Sequence, residues 1–188
     1  EEYAISDALT ALGRLLRYSI DWRRQLVPLS EELHHVEDYL KIVNLRRDEP
    51  VVLIDRLGEV RPDLPVPKMI LQPVVENSVT HAFAEQTSGC TIEVEAVESD
   101  GAVTLSVRDN GVGMTQTQQD RLTAALTAPD DPPDQEDESS IYSGIGLRNV
   151  HERLMLFYGA GCGIQLRSAD NDGTQVLLML RTEPRDAD

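Results

Sequence analysis

The stretch Asp109-Asn-Gly-Val-Gly113 constrains this chain more than any other, because it stands in fixed order between two partners. Leu71–Asn77 (Leu-Gln-Pro-Val-Val-Glu-Asn) precedes it and reads as a helical segment ending in a polar pair. Ser143–Leu147 (Ser-Gly-Ile-Gly-Leu) follows it as a second glycine-bearing loop. Ile92, Val94 and Ala96, then Val103, Leu105 and Val107, recur at every second residue on either side of Ser99-Asp100-Gly101. That alternation predicts a β-hairpin with one face buried, and puts Asp109 just beyond its second strand.

The rest of the chain divides in two. Residues 1–47 read as a helical segment. Leu9, Leu12, Leu16 and Ile20 recur at helical spacing, with Leu15 widening the stripe. Pro28 interrupts the pattern, and Ser30 is expected to cap a second helix with Glu31 and Glu32 in its first turn and Leu33, Val36, Leu40 and Val43 on its apolar face. A helical pair of this kind must pack on the domain that follows or on a second copy. Residues 48–182 alternate strands and helices, and residues 183–188 form a tail. Val51–Ile54 predicts a strand. Pro65 and Pro67 are expected to introduce a helix reaching about Ala82, with Met69, Ile70, Val74 and Val75 in the core. Helices are expected over Gln116–Leu126 and Gly144–Tyr158, and a hairpin over Ile164–Ser168 and Thr174–Leu180. Mainly antiparallel strands with helices on one face make an α/β sandwich of the α+β class. Pro129–Ser140 holds six carboxylates, three prolines and no base. It predicts a mobile loop, serving either as a flap over a site or as a solvated linker.

Composition limits what such a site can bind. The 188 residues carry 17 basic against 33 acidic side chains, a net charge of −16, which argues against a nucleic-acid partner. A polyanionic ligand needs a cation with it, so a nucleotide here is expected to bring Mg²⁺. Cys90 and Cys162 lack metal-ligand spacing and fit a reducing compartment, a single disulfide being the alternative. A chain beginning at Glu1 without a leader reads as a piece of a longer protein.

The motif residues suit a purine nucleotide. A strand-end carboxylate at Asp109 can accept a hydrogen bond from the exocyclic amine of adenine, where guanine would present an oxygen. The competing reading is an ordinary Asp-Asn-Gly turn. Gly111 and Gly113 would let the backbone approach the base, and Met114 fits either against the ring or in the core. The Asn77 amide oxygen could bind Mg²⁺ between phosphates, with Glu76 holding metal-bound water and His81 reaching a phosphate oxygen. The alternative for each is a structural or solvated helix position. The N–H groups of Gly144, Ile145, Gly146 and Leu147 are expected at a helix start, where phosphate oxygens satisfy them. The Thr174 hydroxyl could bridge a water to the purine.

Together, Asn77 in its helix, Asp109-x-Gly-x-Gly113, Gly144-x-Gly-Leu147 and Gly173-Thr174 resemble the ordered motifs of the GHKL superfamily of ATP-binding domains. Leu15–Ser19, Leu29–Leu33, Tyr39–Ile42, Ile70–Asn77 and Gly144–Leu154 resemble LytS- or YesM-like sensor histidine kinases, over nearly the whole chain. The resemblance implies a Bergerat-type fold that binds ATP and Mg²⁺ under a lid, with Glu76 and Asn77 as catalytic residues. It implies transfer of the γ-phosphate to a histidine on an upstream helix of the same protein, then to a response regulator, within a homodimer. It also implies a cytoplasmic domain of a membrane-anchored protein. The family's His-x-x-x-Asn acceptor motif does not occur in this sequence. Pro73 stands where gyrase-like ATPases carry a general-base glutamate, and Thr80 where many histidine kinases carry lysine. A nucleotide-binding dimerisation module without transfer activity and a GHKL-type ATPase are the rival readings.

Overall fold

Asp100 and Gly101, at φ 52° and 75°, occupy the left-handed region together, as a two-residue hairpin turn requires. They join β4 (Thr91–Ser99) to β5 (Ala102–Asp109) with Ser99 opposite Ala102. The computed structural model describes residues 2–21, 23–58, 60–127 and 138–184. In chain order the other elements are α1 (Glu2–Ile20), β1 (Leu26–Pro28), α2 (Leu29–Asn44), β2 (Val52–Arg56), β3 (Pro65–Pro67), α3 (Gln72–Asn77) running into a π-turn (Ser78–Ala82), α4 (Gln116–Thr127), α5 (Glu138–Tyr158), β6 (Gly163–Ser168) and β7 (Thr174–Arg181). The main sheet has the order β2-β4-β5-β7-β6. The β2–β4 pair is parallel, and β4–β5, β5–β7 and β7–β6 are antiparallel. This is the mixed, mainly antiparallel sheet of the expected α+β class.

Inward-facing residues of the sheet meet the helices. Ile92 and Val94 on β4, Val103, Leu105 and Val107 on β5, and Val176, Leu178 and Leu180 on β7 are all buried. Asp109 is the next member of the β5 row, so strand alternation points its carboxylate into the helix layer. On α5 the buried residues Leu147, Val150, Leu154 and Tyr158 form one helical stripe. On α2, Leu29, Leu33, Val36 and Leu40 belong to the same core cluster as the sheet. The second helix of the N-terminal segment is therefore packed into the domain that follows it.

Two local expectations change. Ser30 does not cap α2. Pro28 holds that position, and the first helical N–H groups donate instead to loop carbonyls, Leu29 to Leu64 at 2.9 Å and Ser30 to Pro62 at 3.0 Å. Pro65 and Pro67 do not begin a helix. Alternate prolines hold their own φ near −65° and push each preceding residue toward extended backbone. The result is β3, paired antiparallel with β1, Leu26 opposite Pro67. Met69 then turns the chain at φ 63°, and α3 starts at Gln72.

Glu32 fixes that turn. Its side chain is fully buried, 0% exposed. Oε1 accepts the Met69 N–H at 2.7 Å and the Tyr18 hydroxyl, and Oε2 accepts the Ile70 and Leu71 N–H groups at 2.8 and 3.0 Å. All four acceptor directions of the carboxylate are in use. One side chain thus joins α1, α2 and the entry to α3. By contrast, the α1 stripe is bare: Leu9, Leu12, Leu16 and Ile20 are 64, 43, 54 and 72% exposed.

Glu32→Gln is expected to destabilise the chain by about 1–3 kcal/mol, since an amide NH₂ must face at least one N–H that now has an acceptor. Urea unfolding measures this. A midpoint equal to that of the parent chain would contradict the four-bond assignment.

Candidate functional site

Asp109 is 4% exposed, and its carboxylate is nearly saturated. Oδ1 accepts the Gly111 N–H at 3.0 Å and the Thr174 N–H at 3.1 Å. Oδ2 accepts the Ser78 hydroxyl at 2.9 Å, leaving it one acceptor direction. Burial pushes the carboxyl pKa up, while the Gly111 N–H, the Ser78 hydroxyl and the Thr174 N–H pull it down. Ser78 was not among the residues expected here. The signal for it lies in the helical period: Val74, Val75, Ser78 and Ala82 are all buried on one face, and a serine on such a face must find a partner.

The glycines of the first motif answer to the protein's own backbone. A Cβ on Gly111 would lie 2.4 Å from the Ala82 Cβ and 2.5 Å from its carbonyl oxygen. Gly113 sits at φ 67°, and a Cβ there would come within 1.9 Å of the Ala169 oxygen. Sequence predicts that these glycines make room for a base; in the structure they make room for the π-turn and the β6–β7 loop. Further bonds tie the loop down. The Val112 N–H donates to Ala82 O at 3.2 Å, Asn171 N–H to Val112 O at 2.7 Å, and Met114 N–H to the Ser168 hydroxyl at 2.9 Å. Ser168 in turn meets the Thr174 hydroxyl at 3.0 Å. Met114 and Thr174 are half-buried.

Asn77 ends α3, and its Nδ2 is buried with no hydrogen-bond partner among the described residues. Glu76 lies on another face of the helix, where Oε1 accepts from Gln72 Nε2 at 2.6 Å. His81 is exposed on the π-turn. Gly144, Ile145, Gly146 and Leu147 do not stand at a helix start. Helix α5 begins at Glu138 and runs through them, so their N–H groups lie inside the helical ladder. Each glycine disfavours helix by only about 1 kcal/mol, too little to forbid it. The acidic segment falls mainly on residues 128–137, outside the described residues. Arg153, on α5, serves the fold by donating to the Lys68 carbonyl. His151 Nδ1 accepts the Ile164 N–H at 3.0 Å, and burial holds its pKa below the usual imidazole value. Both cysteines are free thiols.

The two glycine motifs share one wall. A Cβ on Gly146 would lie 3.6 Å from the Pro73 side chain, and Asp109 meets Ser78. Pro73 and Ser78 are five residues apart on one continuous helical run, about 7.5 Å along its axis. Asn77 lies between them, one turn after Pro73.

The family model described as "Histidine kinase-, DNA gyrase B-, and HSP90-like ATPase" matches residues 65–184. The chain belongs to that ATPase family. A second model, "Histidine kinase", matches residues 1–51 of this ATPase-family chain. It is 32% identical over 96% of its length to Sensor histidine kinase YesM of Bacillus subtilis, and 30% identical over 92% to Sensor protein LytS of Bacillus anthracis. It spans 28% of the length of each of these relatives. The histidine kinase domain from the Erythrobacter litoralis EL346 blue-light activated histidine kinase has a TM-score of 0.53 at 16% identity, covering 95% of this chain and 75% of that one. That likeness shows a shared fold.

Asp109→Asn tests the site. The amide oxygen can keep both N–H donors, and the Ser78 hydroxyl can accept from the new NH₂, so the melting temperature is expected to stay within a few degrees. The second amide hydrogen then occupies the direction an adenine amine needs, and ATP affinity is expected to fall at least about tenfold. Calorimetric titration beside a thermal melt reads both, and undiminished affinity would remove Asp109 from the site.

Proposed function

We propose that this chain is the catalytic, ATP-binding portion of a two-component sensor histidine kinase. It would transfer the ATP γ-phosphate to a histidine on an upstream helix, and a response regulator would receive it next. The observation that carries the reading is the Asp109 carboxylate, built into the end of β5 with one acceptor direction left and bonded to Ser78, next in sequence to an Asn77 amide whose nitrogen has no partner among the described residues. In this reading Asp109 selects adenine through its amine, the Thr174 hydroxyl helps hold the ring's surroundings, and Asn77 lies nearer the phosphates.

The residues also fit Mg²⁺. No group of three or more His, Cys, Asp or Glu side chains that could hold a metal occurs among the described residues. Mg²⁺ commonly takes one or two protein oxygens, with phosphates and water completing its shell, and Asn77 Oδ1 can be one of them. Bound there, the metal would neutralise phosphate charge. Phosphoryl transfer asks chiefly for such neutralisation and for alignment. Phosphate contacts from Gly144–Leu147 would require the first turns of α5 to open, which two glycines make easier.

The bare stripe on α1 supports a homodimer. Leu9, Leu12, Leu16 and Ile20 lie on one helical face, and a second copy would cover them. Among the described residues, no helix is long and apolar enough to cross a membrane. A cytoplasmic position, with any anchor in another part of the protein, accords with that.

The transfer is tested by mixing this chain with γ-labelled ATP, Mg²⁺ and a separate protein bearing a His-x-x-x-Asn helix. Label on the histidine is the expected result. Nucleotide binding without label would point instead to a dimerisation module, and phosphate release without acceptor to an ATPase, although Pro73 leaves that reaction without its base. In sedimentation equilibrium the chain is expected to sediment as a dimer and Leu16→Asp as a monomer. A parent chain that stays monomeric at high concentration would count against the α1 interface.

A further inference from the structure

Glu76 and Asn77 are neighbours in α3, so their side chains leave the helix about 100° apart. Asn77 shares the face of Pro73, which lies against Gly146. Glu76 shares the face of Gln72, which meets α2. Gln72 Nε2 donates to Glu76 Oε1 at 2.6 Å, and His35 Nε2 donates to Gln72 Oε1. The Glu76 carboxylate gives the Gln72 amide one orientation, since reversing it would set acceptor against acceptor there, and His35 takes the tautomer that donates. His35 is 5% exposed and its ring lies 4.2 Å from that of Tyr18, whose hydroxyl bonds to Glu32. Tyr39, one turn beyond His35, has its phenol pKa pushed up to about 12, first by burial and then by the Glu76 carboxylate. An ordered chain of side chains thus runs from the helical segment into the ATP-binding domain. It ends on a carboxylate whose second oxygen, Oε2, has no hydrogen-bond partner among the described residues.

We propose that His35 and Gln72 are positioning residues for phosphoryl transfer, holding Glu76 on the α2 side of α3 so that its free oxygen receives the ring N–H of the acceptor imidazole. The inference rests on the kinase reading above. The bare nitrogen of the neutral acceptor ring attacks the γ-phosphorus with its lone pair. An N–P bond forms, the P–O bond to ADP breaks, and ADP leaves with that electron pair. The ring becomes cationic as the bond forms, its other N–H stays hydrogen-bonded to the Glu76 oxygen that orients it, and that proton is released to water after ADP has left. The orienting carboxylate and the nucleotide contacts then stand on different faces of one helix, Glu76 toward the helical segment and Asn77 toward α5.

The test separates positioning from folding and from nucleotide binding. Transfer rate at saturating ATP is measured with the acceptor helix supplied in trans, beside ATP affinity and the melting temperature. Gln72→Leu breaks the chain. Gln72→Glu keeps its size but sets two carboxylates face to face. His35→Phe keeps the ring and loses the donor, whereas His35→Gln can still donate to Gln72. The expected result is a fall in rate of at least about tenfold for the first three, affinity within about twofold of the parent, and most of the rate recovered in His35→Gln. Rates equal to the parent in Gln72→Leu and Gln72→Glu would overturn the proposal. So would losses in all four variants that only follow their melting temperatures. A parent chain that never labels the acceptor would instead overturn the kinase reading, and this inference with it.

Discussion

Four hydrogen bonds converge on the buried Glu32 carboxylate, and the placement of α3 depends on them. The chain arrives at α3 from a proline-bracketed strand and a left-handed residue, a route with little helical character of its own. A first turn entered this way presents unpaired N–H groups that must find acceptors. Glu32 supplies them from α2, and Tyr18 adds its hydroxyl from α1. Asn77 and Ser78 follow within two turns, so their position is measured from the helical segment as much as from the sheet. That coupling gives a physical route by which a change in α1 would be felt at Asp109.

The two buried carboxylates differ in how fully the protein itself fills them. Glu32 has every acceptor direction filled by the protein. Asp109 has three filled, by Gly111, Thr174 and Ser78, and one left over. A purely structural acid gains from saturation, since an unused acceptor in the interior carries a desolvation penalty. A ligand-reading acid must keep something back. Two backbone N–H groups hold Asp109 Oδ1 rigidly, while Oδ2 meets a hydroxyl that can rotate and so adapt to what arrives.

The sequence was most legible where a single period governed. Alternation of Ile92, Val94, Val103, Leu105 and Val107 located the central hairpin and placed Asp109 at its end. The 3.6-residue stripes found α2 and the later part of α5. Contacts distant in sequence were not legible: nothing near Glu32 foretells that it will serve N–H groups 37 to 39 residues away. Pro65 and Pro67 were read as a helix start because proline suits both a first helical turn and an edge strand, and only pairing with β1 decides between them. The glycine motif after Ser143 reads from its chemistry as the opening of the helix over Gly144–Tyr158, whereas α5 already begins at Glu138. Gly111 and Gly113 are expected from sequence to make room for a base, whereas the structure packs them against Ala82 and Ala169, partners distant in sequence that the motif does not name.

The stretch Ser78–Ala82 winds with one more residue per turn than the helix leading into it, and Phe83 N–H closes onto Ser78 O at 3.0 Å. That extra residue is absorbed within the turn: five residues of π-turn and four of α-helix each advance roughly 400° about the axis, so the face presented afterwards is nearly the same. Shortening the segment by one would let it relax into regular α-helix with Ala82 still turned to Gly111 and Phe83 still in the core. Related chains can therefore lack one residue here and keep the same packing.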